Sequence, residues 1–245
     1  MTTTLIGIDC ATQTKNIGIA LGFFENGKTQ IDKVIIGSRN ISIVDTIAGW
    51  IPISQNTLIA IDAPLGWPKN LGEELQTHEA GKPIHVEPNQ LFRRETDHFI
   101  KREVGKQPLD VGADRIARTA HAALHLLEEI REKTGQAISL TWEPGISKGV
   151  YAIEVYPAAT LIAYGINVPG YKQKDGKGAR KLLLRQLFDY IDLPTDISLM
   201  EKNDDALDAA ICVLAGADFL RRDVYKPMNL ELAKKEGWIW VKRQT

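Results

Sequence analysis

Leu5-Ile6-Gly7-Ile8-Asp9 is an unbroken apolar run that ends in a carboxylate, and Leu58-Ile59-Ala60-Ile61-Asp62 repeats the pattern fifty residues later. Continuous aliphatic content without polar alternation fits strands buried on both faces of a sheet, each delivering an acid to the sheet's end. A third strand-like run, Val150-Tyr151-Ala152-Ile153-Glu154-Val155-Tyr156-Pro157, carries another acid. Asp205-Ala206-Leu207-Asp208 opens an apolar, alanine-rich helix. Acids set in apolar segments are costly unless something positive compensates them. If folding gathers these acids, a hard divalent cation with oxygen ligands is the cheapest compensation. Metal-ion chemistry is the expectation.

Bulk composition bounds the rest. A chain of 245 residues holds one large domain or two small ones. With 44% hydrophobic and 25% charged residues it matches an ordinary globular protein with a sizeable core. Cys10 and Cys212 both sit in apolar segments, so free thiols in a reducing compartment are expected. Met1-Thr2-Thr3-Thr4 runs straight into a strand with no signal-peptide pattern, and no apolar stretch is long enough to span a bilayer. A cytoplasmic protein with no membrane partner is expected. The net charge of -1 argues against a strongly basic coat, although nucleic-acid affinity depends on local phosphate contacts. One stretch is locally basic: Lys172, Lys174, Lys177, Arg180, Lys181 and Arg185. Arg93, Arg94, Lys101, Arg102 and Lys106 are interleaved with acids. A solvated face explains both stretches as well as a binding surface does.

Periodicity places the acids on elements. Residues 3–9, 16–22 and 30–37 read as a three-strand meander, with Asn26-Gly27 as the hairpin turn. Residues 41–51 have helical spacing, stopped by Pro52, and 57–62 form the fourth strand. Residues 63–110 lack a clean period and contain Pro64, Pro68, Pro83, Pro88 and Pro108; they read as an insertion beside the site, within one domain spanning 1–245. Helices are expected over 110–134, 157–164, 179–190 and 204–220, with a short strand near 137–142. Gly237-Trp238-Ile239-Trp240-Val241 reads as a terminal strand or extended tail.

Within the last helix, Asp205 and Asp208 are three apart and share a face. Asp204 and Asp208, four apart, could do the same, and spacing does not separate the pairs. Asn203 or Asp204 also serves as a helix cap, which leaves Asp208, a full turn inside, without a mundane role. Asp9 and Asp62, taken singly, pass for strand-end turn residues; their combination with the helix acids favours function. Glu154 is a metal ligand, a more distant acid, or the partner of an arginine from Arg94-Glu95-Thr96-Asp97, where a surface ion pair is an equal alternative.

Gly7-Ile8-Asp9, Ile61-Asp62-Ala63-Pro64, Arg94-Glu95-Thr96-Asp97, Glu154-Val155-Tyr156-Pro157 and Asp204-Asp205-Ala206-Leu207-Asp208-Ala209-Ala210, in this order, resemble the predicted nucleases with an RNase H-like fold grouped as domain of unknown function 429. The likeness runs from residue 3 to the Trp238-Ile239 tail, and the closing helix is similar to that of RuvC-type junction resolvases. The resemblance implies an α/β fold with a mixed five-stranded sheet, order βββαβαβα, helices on both faces and the insertion after the fourth strand. It implies that Asp9 bridges two cations and that Asp62, Asp205 and Asp208 complete the set, with Glu154 a further catalytic candidate. RNase H-type enzymes more often carry Glu where this chain has Asp62. Hard oxygen ligands select Mg²⁺ or Mn²⁺ over zinc. The implied activity is metal-dependent phosphodiester hydrolysis on DNA or RNA, with room for a homodimer. Lys15, Arg94, Lys177, Arg180 and Lys181 are the expected substrate contacts.

Two other functions fit parts of the sequence. Gly7-Ile8-Asp9-Cys10-Ala11-Thr12 is similar to the first phosphate loop of actin-like phosphotransferases, with Thr12, Thr14 and Lys15 facing ATP, but the chain is short for two such domains and has no Gly-Gly pair. A non-catalytic nucleic-acid-binding module of the same fold would retain the basic stretches, yet its acids would repel phosphate. His121 and His125 are four apart on a helix without a Glu-x-x-His context or nearby cysteines, and Trp67, Trp142, Trp238 and Trp240 fit core packing better than base stacking. No Gly-x-Gly-x-x-Gly motif occurs.

Overall fold

The structure is a computed structural model that describes residues 2–53, 55–112, 114–146 and 148–244, with Asp114 described for its backbone alone. Strands β1 (Thr3–Asp9), β2 (Gly18–Glu25) and β3 (Lys28–Ile36) form the antiparallel meander. Asn26 and Gly27 both take positive φ, 51° and 80°, as a two-residue turn between right-twisted strands requires. Helix α1 (Ile43–Trp50), capped by Ser42, crosses to β4 (Asn56–Asp62), which lies parallel to β1. The segment 63–110 carries α2 (Lys69–Gln76), α3 (Pro88–Phe92) and α4 (Glu95–Val104), followed by α5 (Asp114–Thr134).

The remaining strands are β5 (Ile138–Leu140) and β6 (Val150–Glu154), both parallel to β4. After β6 come α6 (Pro157–Ala163), α7 (Lys177–Leu187), α8 (Ser198–Lys202), α9 (Asp204–Leu220) and α10 (Leu230–Glu236). The sheet order is β3-β2-β1-β4-β6-β5. This is the RNase H-like arrangement, a meander extended by parallel strands and covered on both faces. The sheet has six strands where the family resemblance implied five: the short strand read near 137–142 joins it as β5, paired with β6 at the edge.

Alternation along the strands assigns the two cores. Ile6, Ile8, Ile19, Ile59 and Ile61 pack with Ile43 and Ile47 of α1 and Ala123, Leu127 and Ile130 of α5. Leu5, Leu58 and Ala60 point the other way, onto α9. Helix α9 is buried nearly all round, which its Ala-rich sequence permits. Its close seat depends on glycine: a Cβ on Gly7 would stand 2.1 Å from the Ala209 carbonyl oxygen, and one on Gly18 2.1 Å from that of Asp205. Among the described residues no helix is long and apolar enough to cross a membrane.

Candidate metal centre

Parallel pairing of β1 and β4 sets Asp9 directly beside Asp62. By the alternation above, Asp9 shares the face of Leu5 and Gly7, and Asp62 that of Leu58 and Ala60, so both acids point toward α9. Asn203 caps α9, its side-chain oxygen accepting the Ala206 N–H at 2.8 Å. One turn further on, Asp208 is 1% exposed and meets the strand acids. Among the described residues these three form the one such carboxylate group: each offers an oxygen, and the oxygens lie within 4.8 Å of one another.

Such crowding has an electrostatic cost. Burial, reinforced by the charges of Asp62 and Asp208, holds the Asp9 carboxyl well above its ordinary range. Burial also pushes Asp62 up to about 7; Lys172 opposes this, while Asp208 and Glu154 add to it. Asp208 is raised by burial against the opposing pull of Lys172 and Tyr171. The Lys172 ammonium is 2.5 Å from Asp208 Oδ2, and the Tyr171 hydroxyl donates to Asp208 Oδ1 at 3.1 Å. Burial works against the lysine's charge, but Asp208, Tyr171 and Asp62 together more than offset it and its pKa rises.

One half-exposed ammonium faces three carboxylates, so the site is short of positive charge. The donor set is also all oxygen. Burial, then the charges of Asp9 and Asp62, push the adjacent Cys10 thiol up to about 12, which keeps it protonated and a poor metal ligand. Oxygen donors with excess negative charge fit a hard divalent cation such as Mg²⁺ or Mn²⁺.

The other expected site residues fall in different places. Asp205 is half-buried one turn before Asp208 and outside the trio; burial, then Asp204 and Asp208, push it up to about 6. Glu154 has the strand parity of Val150 and Ala152, which pack on the α5 face. It therefore turns away from α9 and binds Arg94, whose Nη2 and Nη1 donate to Oε1 and Oε2 at 2.7 and 2.8 Å; the Leu65 N–H adds a bond of 2.9 Å to Oε2.

Arg94, expected at the surface against substrate, is 1% exposed. It also donates to both oxygens of Asp97 and to the Glu236 carbonyl, tying α4 and α10 to β6. Arg180, expected on a nucleic-acid face, is likewise internal. Its guanidinium donates to the carbonyls of Tyr171, Gln173, Glu201 and Lys202, which fixes the loop that presents Tyr171 and Lys172. Lys15 and Lys177 are exposed, and Lys181 is exposed and pairs with Glu201 at 3.6 Å.

Tyr171, Lys172 and Tyr156 are the site neighbours that sequence reasoning missed. Lys172 counted only as one charge in a basic stretch, and its loop has no periodicity to orient it. A cleft of about 280 Å³ opens over Asp9, Asp62 and Lys172, walled by Pro64, Pro108, Leu109, Ile116, Val155 and Tyr156. A wider depression of about 740 Å³, between α4 and α10, contains none of the trio. His121 and His125 are exposed with ring centroids 5.9 Å apart, and Trp238 and Trp240 are in the core.

No curated protein matches the chain. A solved structure of T. thermophilus RuvC in complex with Holliday junction substrate is similar at 11% sequence identity and a TM-score of 0.33, over 89% of this chain and 94% of that one. The family model described as "Protein of unknown function (DUF429)" matches residues 7–228, and the chain belongs to that family.

Proposed function

We propose that this protein hydrolyses phosphodiester bonds in nucleic acid with Mg²⁺ or Mn²⁺ held by Asp9, Asp62 and Asp208, and with Asp205 as an auxiliary acid. The observation that carries the proposal is the meeting of three carboxylates, Asp208 buried and Asp9 and Asp62 half-buried, from β1, β4 and α9 opposite a single ammonium. Bound there, divalent cations would polarise a phosphoryl oxygen and lower the pKa of an attacking water. The chain's own groups arrange the rest. The parallel register holds Asp9 and Asp62 together, and Tyr171 orients Asp208. Lys172, on a loop anchored by Arg180, places a cation where phosphate charge arrives. Arg94, Asp97 and Glu154 keep the inserted segment 63–110 against the sheet within one unit spanning 1–245.

The test is Mn²⁺ titration calorimetry on the full chain together with cleavage of labelled DNA and RNA. Asp9→Asn and Asp208→Asn should each lose Mn²⁺ binding and cleavage while their thermal midpoints hold or rise, because each removes a buried charge. Unchanged turnover in both variants would retire the metal assignment.

A further inference from the structure

We propose that the cleft beside the carboxylate trio takes one unpaired nucleotide, so that the protein acts on single-stranded nucleic acid or on free nucleotides in preference to paired duplex. The proposal rests on the hydrolase reading above and adds to it the state of the substrate's base.

Three observations converge. The cleft's volume, about 280 Å³, is at the small end for ligand sites, which suits one nucleotide unit and leaves no room for a base pair. Its lining is divided in character: Asp9, Asp62, Lys172 and the Arg94–Glu154 pair are charged, whereas Pro64, Pro108, Leu109 and Ile116 are apolar. Charged groups suit a cation-bound phosphate and apolar walls suit a base. Access is also restricted. Pro64 and Pro108 come from the two ends of the segment 63–110 and Ile116 from α5, so the insertion and α5 wall the cleft at the ends of the central strands β1 and β4.

Tyr156 supplies the platform. It stands directly after β6, half-buried, and lines the cleft while packing against the α9-side core. A base freed from its partner can slide between such an aromatic face and apolar walls, whereas a paired base must first be extruded. Leu109 is 68% exposed beside this charged site, an apolar surface that an inserted base would cover. Thr119, a polar group on the cleft, already donates its hydroxyl to the Arg115 carbonyl at 3.0 Å. Recognition by stacking should therefore tolerate all four bases.

The experiment uses the full chain loaded with Mn²⁺. A labelled oligonucleotide is offered as a single strand and annealed to its complement, and adenosine 5′-monophosphate binding is measured by calorimetry. The single strand should be cut at least about tenfold faster than the duplex, the margin set by the cost of extruding a base. Tyr156→Ala should weaken nucleotide binding about tenfold and Tyr156→Phe should restore it, as stacking predicts. Ile116→Trp, which fills the cleft from α5, should weaken nucleotide binding while Mn²⁺ affinity holds.

Equal or faster duplex cleavage overturns the proposal and leaves the hydrolase reading standing. Nucleotide affinity indifferent to both Tyr156→Ala and Ile116→Trp also overturns it. Nucleotide binding with the expected dependence but no cleavage of any substrate supports the cleft assignment and ends the hydrolase reading. Turnover of a nucleoside triphosphate without oligonucleotide cleavage would assign the site to free nucleotides, and the reverse to strands.

Discussion

At Lys172 the ammonium that neutralises Asp208 stands in the same field as any cation the trio would bind, so lysine and metal compete for one carboxylate. Lys172→Met should therefore tighten Mn²⁺ binding, by about tenfold if the coupling is typical of interacting sites. The metal-free variant should lose stability, since Asp208, 2% exposed, is left without the ammonium that offsets its burial. Calorimetry and urea unfolding read the two effects separately, and weaker Mn²⁺ binding would show that lysine assists the metal. A second residue makes a pH prediction away from the site. Asp218, 1% exposed, accepts from Tyr164 at 2.6 Å and Arg221 at 3.1 Å, but its Oδ2 has no hydrogen-bond partner among the described residues. Burial outweighs those partners and pushes its pKa up to about 6. The folded state thus holds this proton more tightly than the unfolded chain, and the resulting stability is complete below the ordinary Asp pKa and lost as pH rises through 6. Asp218→Asn should gain on the wild type across that window, by at most about 3 kcal/mol. Urea unfolding at pH 4.5 and 7.5 checks this, and a gap that does not widen with pH refutes it.

At the scale of elements, the site depends on how closely α9 lies against β1 and β2. Gly18 lets the Asp205 carbonyl approach where any Cβ would collide with backbone. Gly18→Ala should cost about 1–3 kcal/mol as an overpacking change. It should also weaken Mn²⁺ binding, because the turn it displaces carries Asp205 and Asp208. A destabilised variant with full Mn²⁺ affinity would mean that the acids do not depend on this seat. The same elements show what the sequence could reveal. β1, β4 and α9 announce themselves, because uninterrupted aliphatic runs and an alanine-rich helix have few alternative environments, and their acids stand out against that background. Glu154 was ambiguous for a physical reason: its face depends on the parity of β6, and Val150 to Tyr156 is apolar on both sides. Arg94 reads from sequence both as a substrate contact and as the partner of Glu154, and only the fold separates the two; Arg180 reads as a surface charge because nothing local shows that carbonyls distant in sequence will surround it. Lys172 lies in a loop, where side-chain direction follows from tertiary anchors such as Arg180.

For the whole molecule, the tail after α10 closes on β6. The tail runs parallel to it at Ile239, and the Trp240 N–H donates to the Glu154 carbonyl at 2.9 Å. The backbone of the residue that anchors Arg94 is thus held by a segment beyond the 7–228 match to the family. Trp240 is 1% exposed and sets its ring edge-on to Phe219 of α9, with centroids 4.7 Å apart. The tail therefore bridges the sheet edge and the helix that brings Asp208 to the trio. Trp240→Ala should remove about 3–5 kcal/mol of stability, the usual cost of excavating a core aromatic. Mn²⁺ should restore part of that loss, because a ligand that binds only the folded state raises its stability by mass action. Urea unfolding with and without Mn²⁺ measures both effects. A loss below about 1 kcal/mol would show that the tail merely rests on the core, since that is the range of ordinary surface changes.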